Sequence, residues 1–283
     1  KDFVKKLKIN DENIETRQEC FEKFIKDGFP SKTLEEWRFM DLNQIISQKL
    51  PNLRFFNNQV LIKSDYLKTL NSFNLKVKDF NHIIYVNGFI KEIKFKNEDI
   101  NKIKCIRKKN KFQIKQQSSL ENLNHALNFD YIKISVKDNY IFKEPLIIIN
   151  IIEDKIINTN LNQCIDITMG KNSNLSIVDI NLSNSRDNFI NIKKNYELND
   201  GSILKNYVLY PFENHNINYS NTNIDLQKNS ISENFVYSYG SIFSKNEISC
   251  NLNSQYSSAF VNGVVDVNKE KKHEIRTKIN HLS

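Results

Sequence analysis

Clustered cysteine is what this sequence most plainly lacks. The four present, Cys20, Cys105, Cys164 and Cys250, lie far apart with no close pair. That spacing excludes a small disulfide scaffold, and it speaks against a zinc or iron–sulfur site built from this chain alone. Reduced thiols and a cytoplasmic setting are expected. Long apolar runs are missing too: Leu146 to Ile152 falls far short of the ~18 residues needed to read a membrane span. There is no G-x-x-x-x-G-K-S/T phosphate loop, so no nucleotide site of that type is expected. Proline (4) and glycine (6) are scarce while Lys, Asn, Ile and Phe abound, a bias expected of an AT-rich genome. The chain starts at Lys1 and stops at Ser283 inside a strand-like pattern, so the reading expects a fragment. A targeting segment could have preceded it.

What is present suffices for a packed core. With 283 residues, 39% hydrophobic and 11% aromatic, the simplest organisation is one large domain with appendages. The formal charge of +8 is concentrated: ten Lys or Arg against three acids between Lys91 and Lys115 account for +7 of it. The basicity is therefore one local surface.

A long-period echo organises the second half. Polar turns running into apolar strands recur at Asn172, Asp200, Asn229 and Ser257, spaced by 28, 29 and 28 residues. A steady spacing between strand-like segments predicts stacked coils, each burying the face its neighbour cannot cover alone. Glu247 to Leu252 alternates strictly, which puts Ile248, Cys250 and Leu252 on the inward face. Phe235, Tyr237 and Tyr239 alternate in the same way one turn earlier. The fold class is read as mainly β: a β-solenoid, taken as a parallel β-helix, over 131–283, after a helical region over 1–50 and a mixed α/β segment over 51–130.

Along the chain, residues 12 to 27 read as an amphipathic helix with Ile14, Phe21, Phe24 and Ile25 on one face and Gly28 ending it. Thr33 and Glu36 have capping-box spacing, which predicts a second helix from there through Trp37 towards Ile46. Residues 82–89 read as a strand entering an Asn87-Gly88 turn, with Ile90 to Phe95 returning. A short helix is expected over 119–127 with Leu120, Leu123 and Leu127 in register. Ile132, Ile134 and Val136 then begin the coils.

The chemistry-bearing candidates are few. Cys250 alternates with core positions and reads as a small hydrophobe. Cys105 lies among Lys102, Lys104, Arg107 and Lys108, which would favour its thiolate if exposed, although an incidental surface thiol is the preferred reading. His273, Arg276 and His281 are interface candidates; eight residues separate the two histidines, without the close spacing of a helical metal site. A polysaccharide lyase or hydrolase would need gathered carboxylates, whereas Asp166, Asp179, Asp187, Asp200, Asp225 and Asp266 are scattered singly. A nucleic-acid module using 91–115 would interleave more aromatics than Phe95 and Phe112.

In motif order the chain resembles SufD proteins of the SufB/SufD family. The resemblance rests on GFPSKTLEEWRFMDL (Gly28 to Leu42), on IIYVNGFI around Asn87-Gly88, and on LNHALNFDYIKISVKDN with Glu144-Pro145-Leu146. It is strongest over Phe243 through Gly263 to Arg276, Thr277 and His281. Lys245 departs from it where the family commonly has Arg, and Glu274 is a second mild departure, just before the more usual stretch to Arg276. The resemblance implies a right-handed parallel β-helix and a non-catalytic scaffold subunit. It implies a SufB-like paralogue and a SufC-like ATPase as partners, with the cysteine desulfurase system acting indirectly and neither membrane nor nucleic acid involved. It implies no cofactor bound by this chain alone, an iron–sulfur cluster assembled in the complex, and leaves a flavin open. The family's ATPase-docking helical domain and late histidine would lie beyond Ser283, so no cluster ligand is carried over.

Overall fold

In the computed structural model, residues 3–7, 13–61, 65–108, 118–183, 185–268 and 270–282 are described. Helices α1 (Phe3–Lys6), α2 (Ile14–Asp27), α3 (Leu42–Lys49) and α4 (Tyr66–Ser72) lead into an antiparallel pair, β1 (Asn81–Val86) and β2 (Phe89–Lys94). After β3 (Ile103–Lys108) and α5 (Ser119–Leu127) come β4 (Tyr131–Val136), β5 (Leu146–Ile152), β6 (Asn160–Met169), β7 (Asn174–Ser183) and β8 (Arg186–Leu198). The rest are β9 (Ile203–Tyr210), β10 (His215–Leu226), β11 (Ile231–Tyr239), β12 (Phe243–Leu252), β13 (Ser258–Asp266) and β14 (Lys272–His281).

From β4 onward, successive strands alternate between two sheets and pair in parallel with the strand two places on. The result is a two-faced parallel β-solenoid. Sheet one runs β2-β1-β5-β7-β9-β11-β13 and sheet two β3-β4-β6-β8-β10-β12-β14. The antiparallel strands β2 and β3 close one end; β13 and β14 carry a neighbour on one side only.

The 28-residue echo has a backbone cause. Register steps are 29 residues from Asn174 to Ile203, 28 from Ile203 to Ile231 and 27 from Ile231 to Ser258. Each turn before these strands holds one left-handed residue: Asn139, Asn172, Gly201, Asn229 and Tyr256, with φ between 53° and 69°. Asn tolerates that conformation because its side chain bonds locally, so it serves where glycine is scarce. The column carries the repeat.

Between the sheets lies the apolar core, including Ile132, Ile134, Val136, Ile165, Ile167 and Leu198. Ile248, Cys250 and Leu252 are buried in it as expected. Phe235, Tyr237 and Tyr239 do not follow them. On β11 the alternation has the opposite phase: Asn234, Val236 and Ser238 are buried, and the aromatics line the half-exposed outer face of sheet one. The larger apolar residues are outside there because the inner positions of that strand carry a polar seam.

Helices α1, α2 and α3 cover the outer face of sheet two, where Phe21, Phe24, Phe29 and Phe55 meet Phe189, and Leu120 and Leu123 join the same cluster, while α4 packs on sheet one. Helix α5 spans the expected residues under a full capping box, Ser118 with Glu121. Helix α2 starts at Ile14, within the expected range, yet Ile25 is exposed rather than on the buried face. The second helix is corrected. Residues 35–37 form a single 3-10 turn, and α3 begins only at Leu42, capped by Asp41, whose carboxylate accepts from Gln44 N at 2.8 Å. Ser31 and Thr33 hydroxyls bond each other at 2.8 Å instead, which takes Thr33 away from a cap.

Candidate interface at the last coil

Parallel register stacks residues of like face from coil to coil, so charges placed one period apart must meet. On the outer face of sheet two, Tyr219, Lys245 and Glu274 form one column and Asn221, Glu247 and Arg276 the next. Lys245 is fully buried and is the hub. Its ammonium donates to Glu274 Oε1 at 2.8 Å and to the Glu36 carbonyl at 2.8 Å, and lies 3.6 Å from Glu247. It also sits over the Trp37 ring, 4.6 Å from its centre, a cation–π contact made stronger by burial. Tyr219 completes the sandwich, with its ring 5.6 Å from Trp37 and its hydroxyl donating to Glu247 at 2.7 Å. Burial, then the Glu247 carboxylate, pushes the Tyr219 phenol well above its ordinary range. Arg276 lies 3.6 Å from Glu247 at the solvent edge. Two cations balance two carboxylates, so the cluster clamps elements together and carries no surplus charge for a metal.

The three sequence-predicted residues share β14 but not an environment. His273 is tied into a serine cradle: Nε2 donates to the Ser241 carbonyl at 2.8 Å, and Nδ1 accepts from Ser238 Oγ at 3.0 Å. Both ring nitrogens are thereby used. His281, eight residues along the same strand, is exposed and about 26 Å away at ~3.3 Å per residue. One metal cannot join them. Among the described residues, no group of three or more His, Cys, Asp or Glu could hold a metal ion.

In the coil that carries these residues, β13 and β14 have a neighbour on one side only. Ala259, Val261 and Ile275 are only partly buried and Ile279 is exposed, while Phe260 and Val264 are exposed on the outer face of sheet one. Gly263 permits the two sheets to approach there: a Cβ at that position would meet Ile275 Cδ1 at 2.4 Å and the Val236 carbonyl at 3.0 Å.

Residues 152–283 match the family model for the SUF system FeS cluster assembly, SufBD core domain. The match supports the SufB/SufD family and does not separate SufD from SufB. It covers the solenoid from the end of β5 through β14, including the Lys245 cluster and all of the last coil. A search of curated proteins found no match.

Elsewhere, the solenoid separates the candidates of the rival readings. Asp179 lies inside the solenoid paired with Lys194, whereas Asp166 and Asp225 lie on the outer face of sheet two, bonded to Asn195 and Asn251. In the basic stretch, Arg107 forms a two-pronged pair with Asp130 at 2.5 and 2.6 Å, and residues 109–117 lie outside the described residues. Cys105 is half-buried against the core, and burial raises its thiol; the expected pull of neighbouring cations is not what dominates. No described helix is long and apolar enough to cross a membrane.

Sequence reasoning noted Trp37, Lys245 and Glu274 singly and missed that they form one cluster. The signal was available: Lys245 and Glu274 are 29 residues apart, one coil period, and opposite charges at that spacing stack.

Proposed function

We propose that this chain is a SufD-like scaffold subunit that works in a reducing cytoplasm with a SufB-like paralogue and a SufC-like ATPase to assemble iron–sulfur clusters. The observation that carries this reading is the SufBD core match over residues 152–283, which spans the solenoid from the end of β5 through β14. The cluster is cargo of the assembly, and the cysteine desulfurase system that delivers sulfur acts on it indirectly. No cofactor is assigned to this chain by itself, and no residue is assigned to a flavin.

The SufD assignment, as opposed to SufB, draws on the Trp37 segment, which Lys245 fastens to the last coils. The last coil supplies the partner surface. Strands β13 and β14 leave backbone N–H and C=O groups and apolar side chains open, and a partner of the same fold can extend both sheets by strand addition. Arg276 at the edge would add polar specificity, His281 likewise at the strand end, while His273 supports the strand from within.

Co-expression of the protein with SufB-like and SufC-like partners tests the reading. One complex containing all three is expected after affinity isolation under reducing conditions. Recovery of this protein alone beside both partners would sink the scaffold reading.

A further inference from the structure

Sheet two ends at β3, on the opposite side of the solenoid from the last coil. Antiparallel pairing with β4 commits only alternate backbone groups to the neighbour. Lys137 N donates to the Lys102 carbonyl at 2.9 Å, so Lys104 and Ile106, in phase with Lys102, turn their amides and carbonyls towards β4. Those of Cys105 and Arg107 point the other way, along an edge that no described strand pairs with. At this end the core is not sealed: Ile93, Phe95 and Cys105 are only partly buried against it.

Side-chain alternation puts lysines on the outer face of the same strand pair. Lys102 lies opposite Lys137, and Lys104, opposite Ser135, has Lys133 and Lys137 as its diagonal neighbours. Three of the four are exposed and Lys133 is half-exposed. Among the described residues none of them forms an ion pair, whereas Arg107 is held by Asp130. Like charges set opposite each other across strands cost stability, so the arrangement needs a reason. Lysine on an edge strand commonly guards against aggregation. That accounts for Lys104 on β3, but Lys133 and Lys137 belong to β4 and its end, and β4 already has neighbours on both sides.

We propose that the β3 edge is a docking site for an extended acidic segment of a partner protein, one that alternates Asp or Glu with apolar residues. Its main chain bonds to the backbone of Cys105 and Arg107, its carboxylates meet the four lysines, and its apolar side chains cover Cys105 and the end of the core. A single-stranded nucleic acid fits this face less well, because the described ring on it, Tyr131, is buried and offers no stacking surface. This inference stands on the edge and its charges and is independent of the SUF reading.

Fluorescence anisotropy on the intact protein tests this with a labelled, end-capped peptide alternating glutamate and valine as the probe, and circular dichroism verifies folding of the variants. Saturable binding that weakens with added salt is expected, with hydrogen exchange of the Cys105 and Arg107 amides slowed on binding. Lys104→Glu and Lys133→Glu are each expected to weaken binding by roughly tenfold, and either serves should the other fail to fold. The same peptide N-methylated on alternate amides keeps the charges but cannot complete a ladder, and is expected to bind more weakly. No binding, equal affinity in a folded variant or for the methylated peptide, or protection elsewhere on the chain overturns the proposal. Tighter binding of a single-stranded oligonucleotide at this face overturns it too.

Discussion

The Lys245 ammonium stands 4.6 Å from the centre of the Trp37 ring, joining the 3-10 turn of the N-terminal region to the solenoid more than two hundred residues later. Because Lys245 is wholly buried, its removal leaves Glu274 facing it without a counter-charge. Lys245→Ala is expected to cost roughly 3–5 kcal/mol, the usual penalty for breaking a buried pair from one side. Lys245→Arg keeps the charge and should lose much less. Urea unfolding of both variants measures this; an alanine variant within about 0.5 kcal/mol of wild type, the scale of an ordinary surface change, would show that the cluster does not hold these elements together.

The left-handed column makes a prediction of opposite sign at two of its members. Tyr256 has φ 60° and is exposed, so its side chain contributes strain and little packing. Tyr256→Gly is expected to stabilise by roughly 0.5–1 kcal/mol, whereas Asn229→Ala should destabilise by about 1 kcal/mol. Thermal unfolding separates the two; a destabilised Tyr256→Gly would mean that the tyrosine packs in solution.

His125 lies on the buried face of α5 beside Lys193, and burial first, then the Lys193 charge, lowers its pKa from 6.5 to about 3. The unfolded chain therefore binds a proton that the folded chain refuses across that window. Stability present above pH 6.5 is lost as pH falls towards 3, by roughly 5 kcal/mol at 1.36 kcal/mol per unit. Glu121 adds to the same trend, since the Lys193 ammonium and the Ser118 bonds outweigh burial and lower its pKa. Unfolding free energies measured from pH 7 to 4 should fall, and His125→Gln should flatten the slope. An unchanged slope in that variant would assign the acid sensitivity elsewhere.

Burial raises all four thiols, Cys250 to about 11, so none is thiolate at pH 8 in the folded protein. Alkylation at that pH is expected to be slow, with Cys105 first because it alone is half-exposed. Rapid native labelling of Cys250, read by mass spectrometry, would contradict its place in the core.

Much of the solenoid was legible because its cause is local. Asn-led turns at near-constant spacing and strict alternation over Glu247 to Leu252 are written in consecutive residues. Helix α5 was legible for the same reason, with cap and leucines adjacent in sequence. The 3-10 turn at Trp37 was not, because a capping-box spacing at Thr33 and Glu36 competes with Asp41, and only the docking of Trp37 between Tyr219 and Lys245 decides where the helix begins. The outward phase of Phe235, Tyr237 and Tyr239 was hidden too, since alternation defines two faces without saying which is inner. At the candidate interface, the sequence singled out His273, Arg276 and His281 as one region; it could not show that His273 is held by two serines while His281 is exposed, since those serines belong to another coil.

The central claim is that the last coil receives the partner, and hydrogen exchange on its amides tests it most directly. On addition of a SufB-like partner, amides of β13 and β14 between Ser258 and His281 are expected to gain protection, with Arg276→Glu weakening the effect. Protection that leaves β14 unchanged while a complex forms would contradict the placement, and protection nowhere on the chain at partner saturation would contradict the scaffold account itself.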